Sequence, residues 1–179
     1  MSSSSCSSAL CRWLFLGLCA TPWPAVASWE GDLGSPQLVG QGEFDYLGFH
    51  IYSAALYSTR LPFSRLRPFA LQLTYFKHIT RARITETSLN ELRRIYGKAL
   101  SEETLAVWQQ YMLSAFVDVD SGDTLTGVYL PGQGIRFYHG DTETARFADA
   151  YFAEAFFNIW LAPQTRDPDL RARLLGQTP

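Results

Sequence analysis

Tyr75 and Lys77 are the first residues in this sequence whose types and spacing suggest chemistry. They stand two apart, so on a continuing strand they share a face. A lysine ammonium there holds a carboxylate or a phenolate, and the tyrosine donates a hydrogen bond at the same pocket mouth. Arg81 and Arg83 follow and serve as further anion holders if they turn inward. The competing account puts Lys77 in solvent at a strand end, Tyr75 in the core with its hydroxyl at the edge, and both arginines on a solvated helix face.

Other reactive residue types carry less. His50, His78 and His139 show no metal-ligand spacing, so no metal is expected. Ser53, Ser58 and Ser88 sit in no nucleophile elbow. Gly40-Gln41-Gly42 lacks both the third glycine and the following helix of a dinucleotide fingerprint. Its expected role is to let the backbone bend or pack closely between two strands. No motif calls for a cofactor.

The elements that must position these residues can be read from periodicity. Residues 44–57 are aromatic and β-branched with no proline, and both alternating sets are apolar, which predicts one long strand covered on both faces. Phe69, Leu71, Leu73 and Tyr75 alternate against Ala70, Gln72 and Thr74 as a second strand. The period turns helical near Thr80, where Ile84, Ser88, Leu92, Ile95 and Tyr96 form one stripe that Gly97 ends. Ser101, with Glu102 and Glu103 behind it, caps another helix bearing Leu105, Trp108, Met112 and Phe116. Residues 124–130 and 135–139 read as a hairpin around Pro131-Gly132-Gln133-Gly134. The last third reads as helical, with an apolar face of Phe147, Tyr151, Phe152, Phe156, Ile159 and Trp160. A short helix over 167–175 opens on Asp167-Pro168 and closes at Gly176. Segregated strands and helices predict an α+β fold, an antiparallel sheet with helices packed on one face.

The first 27 residues read as a secretory signal peptide. Arg12 is their one charge, an apolar run over 13–20 follows, Pro22 and Pro24 break it, and Ala25-Val26-Ala27 predicts cleavage before Ser28. An uncleaved anchor and a lipoprotein signal at Cys19 are the alternatives. The apolar run is short for a membrane span, and Leu18 stands where a lipoprotein signal has a small residue. All three cysteines (Cys6, Cys11, Cys19) lie in this leader, so the remaining chain has no disulfide and no thiolate. That leaves roughly 150 residues for one domain held by its apolar core. Residues 28–37 have linker composition and predict a loose arm; the domain proper spans 38–176. The whole chain carries a net charge of −2, and losing Arg12 makes it more negative. No basic stripe matches a phosphate backbone, which argues against nucleic acid as a partner.

Four stretches together resemble the bacterial chalcone-isomerase-like family. They are Val39-Gly40-Gln41-Gly42-Glu43-Phe44 with Ile51-Tyr52-Ser53-Ala54-Ala55-Leu56-Tyr57; residues 71–77; residues 122–132; and Phe156-Phe157-Asn158-Ile159-Trp160-Leu161. The resemblance implies a large antiparallel sheet, helices on one face and a pocket between them. Plant chalcone isomerases close a chalcone to a flavanone by attack of a phenolate on an enone. That chemistry takes a cation for the phenolate and a hydrogen-bonded tyrosine and water for the enolate. The resemblance puts Phe44 at the place of the arginine and Ile79–Thr80 near that of the tyrosine.

Phenylalanine holds no anion, so no catalytic residue is assigned. The leading reading is an exported binder of a small hydrophobic or amphipathic ligand, a fatty acid or an aromatic acid. Phe44 and Tyr46 would wall its pocket, and Tyr75 with Lys77 or Arg81 would form the polar end. An intramolecular lyase acting on a chalcone-like enone is the second reading. A structural or partner-binding protein with a filled core is the third.

Overall fold

The expected strand over residues 44–57 is two strands. In the computed structural model, which describes residues 28–177, the chain reverses at Leu47-Gly48, between β1 (Gln37–Tyr46) and β2 (Phe49–Ser58). Both turn residues have positive φ, 51° at Leu47 and 79° at Gly48. That is the backbone sign of a two-residue hairpin turn matched to strand twist. Leucine carries no turn signal and pays roughly 1–2 kcal/mol in the left-handed region, so the sequence pattern ran straight through the bend.

The sheet continues as a meander, β1 to β6 in spatial order and antiparallel throughout. β3 (Phe69–Tyr75) leads into α2 (Arg81–Tyr96) and α3 (Glu102–Ala115), after which β4 (Thr124–Leu130) returns beside β3. β4 and β5 (Gly134–His139) form the expected hairpin, with Gly132 at φ 71° and Gly134 at φ 111°. β6 (Thr142–Phe147) replaces the expected start of a helix, so Phe147 ends a strand. Its sequence, TETARF, is polar enough to hide strand character. α4 (Ala150–Leu161) begins only after Asp149, whose carboxylate accepts from the Phe152 N–H at 2.8 Å. α5 (Pro168–Leu174) follows, capped by Asp167 as the Asp-Pro start predicts.

α2 to α5 cover one face of the sheet, and the class is α+β as read. Leu56, Leu71, Phe137, Trp108, Met112, Phe152 and Phe156 build the main core on that side. The opposite face carries a correction. Residues 28–37 are no loose arm: Trp29–Leu33 form a short helix, α1, and Gln37 already belongs to β1. Trp29 and Leu33 are buried on Ala70, Val128 and Tyr138 of the back face. Asp32 accepts from Arg136 at 2.5 Å and from the Tyr138 hydroxyl at 2.7 Å. Linker composition hid two buried anchors four residues apart, one turn of helix.

Gly40 and Gly42 serve close packing of a different kind from the one expected. A Cβ at either would collide with α5, at the Arg173 and Leu174 carbonyls for Gly40 and at the Arg173 and Leu170 side chains for Gly42. They let a helix, not a second strand, lie against β1. Among the described residues no helix is long and apolar enough to cross a membrane. The leader and its cleavage site lie outside the described residues.

Candidate functional site

A cavity of about 640 Å³ lies between the helix-covered face of the sheet and α2, α4 and α5. The register builds one wall of it. Phe44 pairs with Tyr52, and Tyr52 with Tyr75, so three aromatic rings stand side by side on β1, β2 and β3. Phe44 stacks on Tyr52 at 5.1 Å, and Tyr52 meets Tyr75 edge-on at 5.9 Å. Leu73, Leu125, Phe137, Phe156 and Ile159 supply apolar lining elsewhere.

Two phenols, Tyr52 and Tyr75, line this interior together with the buried Thr126, Ser88 and Glu91. The Tyr52 hydroxyl accepts from the Trp160 indole N–H at 3.0 Å. Its own proton has no acceptor among the described residues. Tyr75 is 3% exposed, lines the cavity, and its hydroxyl makes no hydrogen bond within the described residues. Removal from water pushes the pKa of both phenols well above the ordinary tyrosine value, so both remain protonated donors. Each can donate a hydrogen bond to an oxygen acceptor in the cavity, such as a carboxylate or carbonyl oxygen.

The cations stand at the rim. Lys77 is exposed, lines the cavity mouth, and places its Nζ 5.1 Å from the Phe49 ring centroid. β3 ends at Tyr75, so Lys77 and Tyr75 do not share a strand face: one is at the mouth, the other inside. Arg81 is exposed and is not among the lining residues; its backbone N–H donates to Asp118 at 2.7 Å. Arg83 lines the mouth instead and pairs with Glu86 at 2.8 Å. Also in the lining, the buried Glu91 takes Arg94 on one oxygen at 2.8 Å and Arg166 on the other at 2.6 Å. A carboxylate held by two guanidiniums fixes α2 to the segment before α5.

Four of the five residues expected at the site therefore line the cavity: Phe44, Tyr46, Tyr75 and Lys77. Sequence reasoning missed Tyr52 and Trp160. Both lie in the family-like stretches, but only the β1–β2–β3 register shows that Tyr52 stands beside Tyr75.

The register also gathers a cluster that spacing did not reveal. His50 Nδ1 lies 2.8 Å from Asp45 and 3.4 Å from Glu43 across the β1–β2 ladder. Their potential ligand atoms fall within 4.8 Å of one another, and all three side chains are exposed. The two carboxylates stand beside the imidazole, a contact that is a charge pair only when the ring is protonated.

The comparisons agree with this architecture. The family model described as chalcone isomerase-like matches residues 37–176. An uncharacterized protein of Haemophilus influenzae is 31% identical over 143 residues, 79% of this chain and 69% of that protein. The crystal structure of a fatty-acid binding protein of Arabidopsis thaliana superposes with a TM-score of 0.60 at 12% identity, covering 79% of this chain and 87% of that one. With the six-stranded sheet, its helical cover and the cavity between them in place, the chain belongs to the chalcone isomerase-like family.

Proposed function

We propose that this protein is a non-catalytic carrier or sensor of a small amphipathic molecule, with an apolar body and an acceptor head group, taken into the cavity between sheet and helices. The observation that carries the reading is the pair of phenols on the cavity wall, Tyr75 buried and Tyr52 half-buried. Tyr52 and Tyr75 keep unspent protons in a largely apolar cavity, and each can donate to an incoming oxygen acceptor. Fatty acids and aromatic acids fit that description. The neighbour with the same fold is named for fatty-acid binding, which supports the first of the two. Lys77 adds a cation at the mouth for an anionic head group.

An enone isomerase would use the same phenols to steady an enolate, but it also needs a cation beside the reacting phenolate. Phe44, stacked on Tyr52, occupies the wall where the family resemblance locates that cation. Binding therefore fits the site better than turnover.

The leader and its Ala25-Val26-Ala27 exit support export with cleavage before Ser28, and with it the reading of a periplasmic or secreted binder. The test is direct. Native mass spectrometry of protein purified from its host should show a co-purified acid. Added fatty or aromatic acids should raise the melting temperature, since a ligand at 100 times its Kd adds about 2.7 kcal/mol. A melting temperature unmoved by either class up to about 1 mM counts against the reading.

A further inference from the structure

Among the described residues, several exposed large apolar side chains gather at the tip of the β1–β2 hairpin, while others such as Leu66 and Tyr151 stand elsewhere. Leu47 is 81% exposed and Phe49 63%, with Tyr46 and Phe76 beside them. Leu47 is penalised twice, since its φ of 51° disfavours any side chain with a Cβ and its apolar side chain stands in water. Asn or Gly before Gly48 would satisfy the turn without either penalty. A bulky apolar residue held at a strained, exposed turn points to a partner that covers it.

The tip is continuous with the cavity mouth. Tyr46 is both part of the tip and part of the lining, and Lys77 lines the mouth while lying over the Phe49 ring. We propose that this hairpin is a lipid-docking tip: Leu47 and Phe49 enter the headgroup region of a bilayer, Tyr46 and Lys77 stay at its interface, and the cavity mouth is brought to the membrane surface.

The chemistry favours a bilayer over a protein partner. A two-residue turn is convex, and a lipid surface adapts to a convex apolar knob without a preformed groove. Aromatic rings and a snorkelling lysine are the side chains that settle at the headgroup level. Charge is not the driving force, because Glu43 and Asp45 stand close to the tip beside His50. Docking is thus by apolar insertion, with little dependence on salt or on anionic lipid. That the tip feeds the cavity rests on the ligand-binding reading; docking itself does not.

Flotation of the Ser28–Pro179 chain, which carries every element and both hydrophobic clusters described above, tests the proposal without added ligand. The wild type should float with pure phosphatidylcholine vesicles as well as with vesicles containing phosphatidylglycerol, and high salt should not release it. Leu47→Asn and Phe49→Ser should each lower the vesicle partition coefficient about tenfold or more, the value of withdrawing one large apolar side chain from an apolar phase. Leu47→Asn should at the same time melt no lower than wild type, because asparagine suits the turn, and should keep its thermal response to fatty or aromatic acids. The proposal is overturned if the wild type stays unbound, if it binds only anionic vesicles and is released by salt, or if Leu47→Asn floats like wild type. Loss of the thermal response to acids in the wild type, with flotation intact, would instead strike the ligand-binding reading alone.

Discussion

Tyr52 and Tyr75 face each other across β2 and β3, their rings 5.9 Å apart and close to perpendicular, yet their hydroxyls are unequally placed. Tyr52 is tied to the Trp160 indole at 3.0 Å, while Tyr75 has no partner within the described residues. The two tyrosines should therefore answer differently to the same change. Tyr52→Phe strands a buried indole N–H and should cost about 1–3 kcal/mol of stability. Tyr75→Phe removes a hydroxyl that bonds nothing and should leave stability level or slightly raised. Both should weaken ligand binding by about 0.5–1.5 kcal/mol, the net value of one hydrogen bond. Urea unfolding of the two variants, with and without a fatty acid, checks all of this.

Alkaline pH should expose the same groups. Burial raises the pKa of Tyr52 and Tyr75, and it pushes Tyr138 up to about 12, with the Asp32 carboxylate adding to the rise. The folded chain thus keeps protons that the unfolded chain releases near the ordinary tyrosine pKa of about 10. Stability should be level with respect to these groups below about pH 9 and fall as pH climbs past about 10. Tyr75→Phe should make that fall shallower. Equal slopes for wild type and variant would show that Tyr75 does not titrate as described.

What the sequence disclosed and what it hid follow a physical division. Helix caps and apolar periods are local, so Thr80, Ser101 and Asp167 marked real helix starts. The glycine-rich turn at 131–134 marked a real hairpin for the same reason. Leu47 breaks turn chemistry, and the reversal there was invisible to pattern. Trp29 and Leu33 anchor a helix whose composition otherwise reads as linker. At the cavity, residue type singled out Tyr75 and Lys77, which the structure puts inside it and at its rim respectively. The Tyr52–Tyr75 pair, the Glu43–Asp45–His50 cluster and the Arg94–Glu91–Arg166 clamp depend on register or tertiary contact, which a linear pattern does not contain.

The two turn glycines should differ in a way that separates strain from collision. Gly132 has open space around a built Cβ, so Gly132→Val meets only the positive-φ penalty, about 1 kcal/mol or somewhat more. At Gly134 the Cβ would strike the Phe147 carbonyl, so Gly134→Val adds a backbone clash between β5 and β6. Gly134→Val should lose distinctly more stability than Gly132→Val. Similar melting temperatures for the two would contradict the packing described at the β5–β6 junction.

α1 should prove part of the fold. Trp29 is 4% exposed, its ring centroid lies 5.0 Å from that of Tyr57, and it covers Ala70 and Val128. Trp29→Ala should cost about 3–5 kcal/mol, as for other buried tryptophans. A loose arm would lose almost nothing. The same anchoring bears on processing: cleavage before Ser28 retains all of α1, whereas a cut a few residues later would remove Trp29. Intact mass of the exported protein should begin at Ser28, and a mass carrying the leader, or lipid on Cys19, would overturn the export reading.

The protein should bind acids without isomerising chalcones. Binding asks for apolar burial and an acceptor for the phenol protons, and the cavity offers both. Catalysis asks for more, namely stabilisation that appears only as charge develops in the transition state. Ring closure of a 2′-hydroxychalcone starts from a phenolate, and a phenolate in an apolar cavity is costly unless a cation meets it. Phe44 offers an aromatic face there, Lys77 stands at the mouth over Phe49, and Arg83, Arg94 and Arg166 are each paired with a carboxylate. The chalcone should therefore enter, if at all, as the neutral phenol and leave unchanged. Cyclisation at the spontaneous rate, alongside a melting temperature raised by fatty acid, is the expected result. Turnover well above that rate would mean that Lys77 or one of these paired cations serves the substrate, and Lys77→Met, Arg83→Gln, Arg94→Gln and Arg166→Gln would then identify which one.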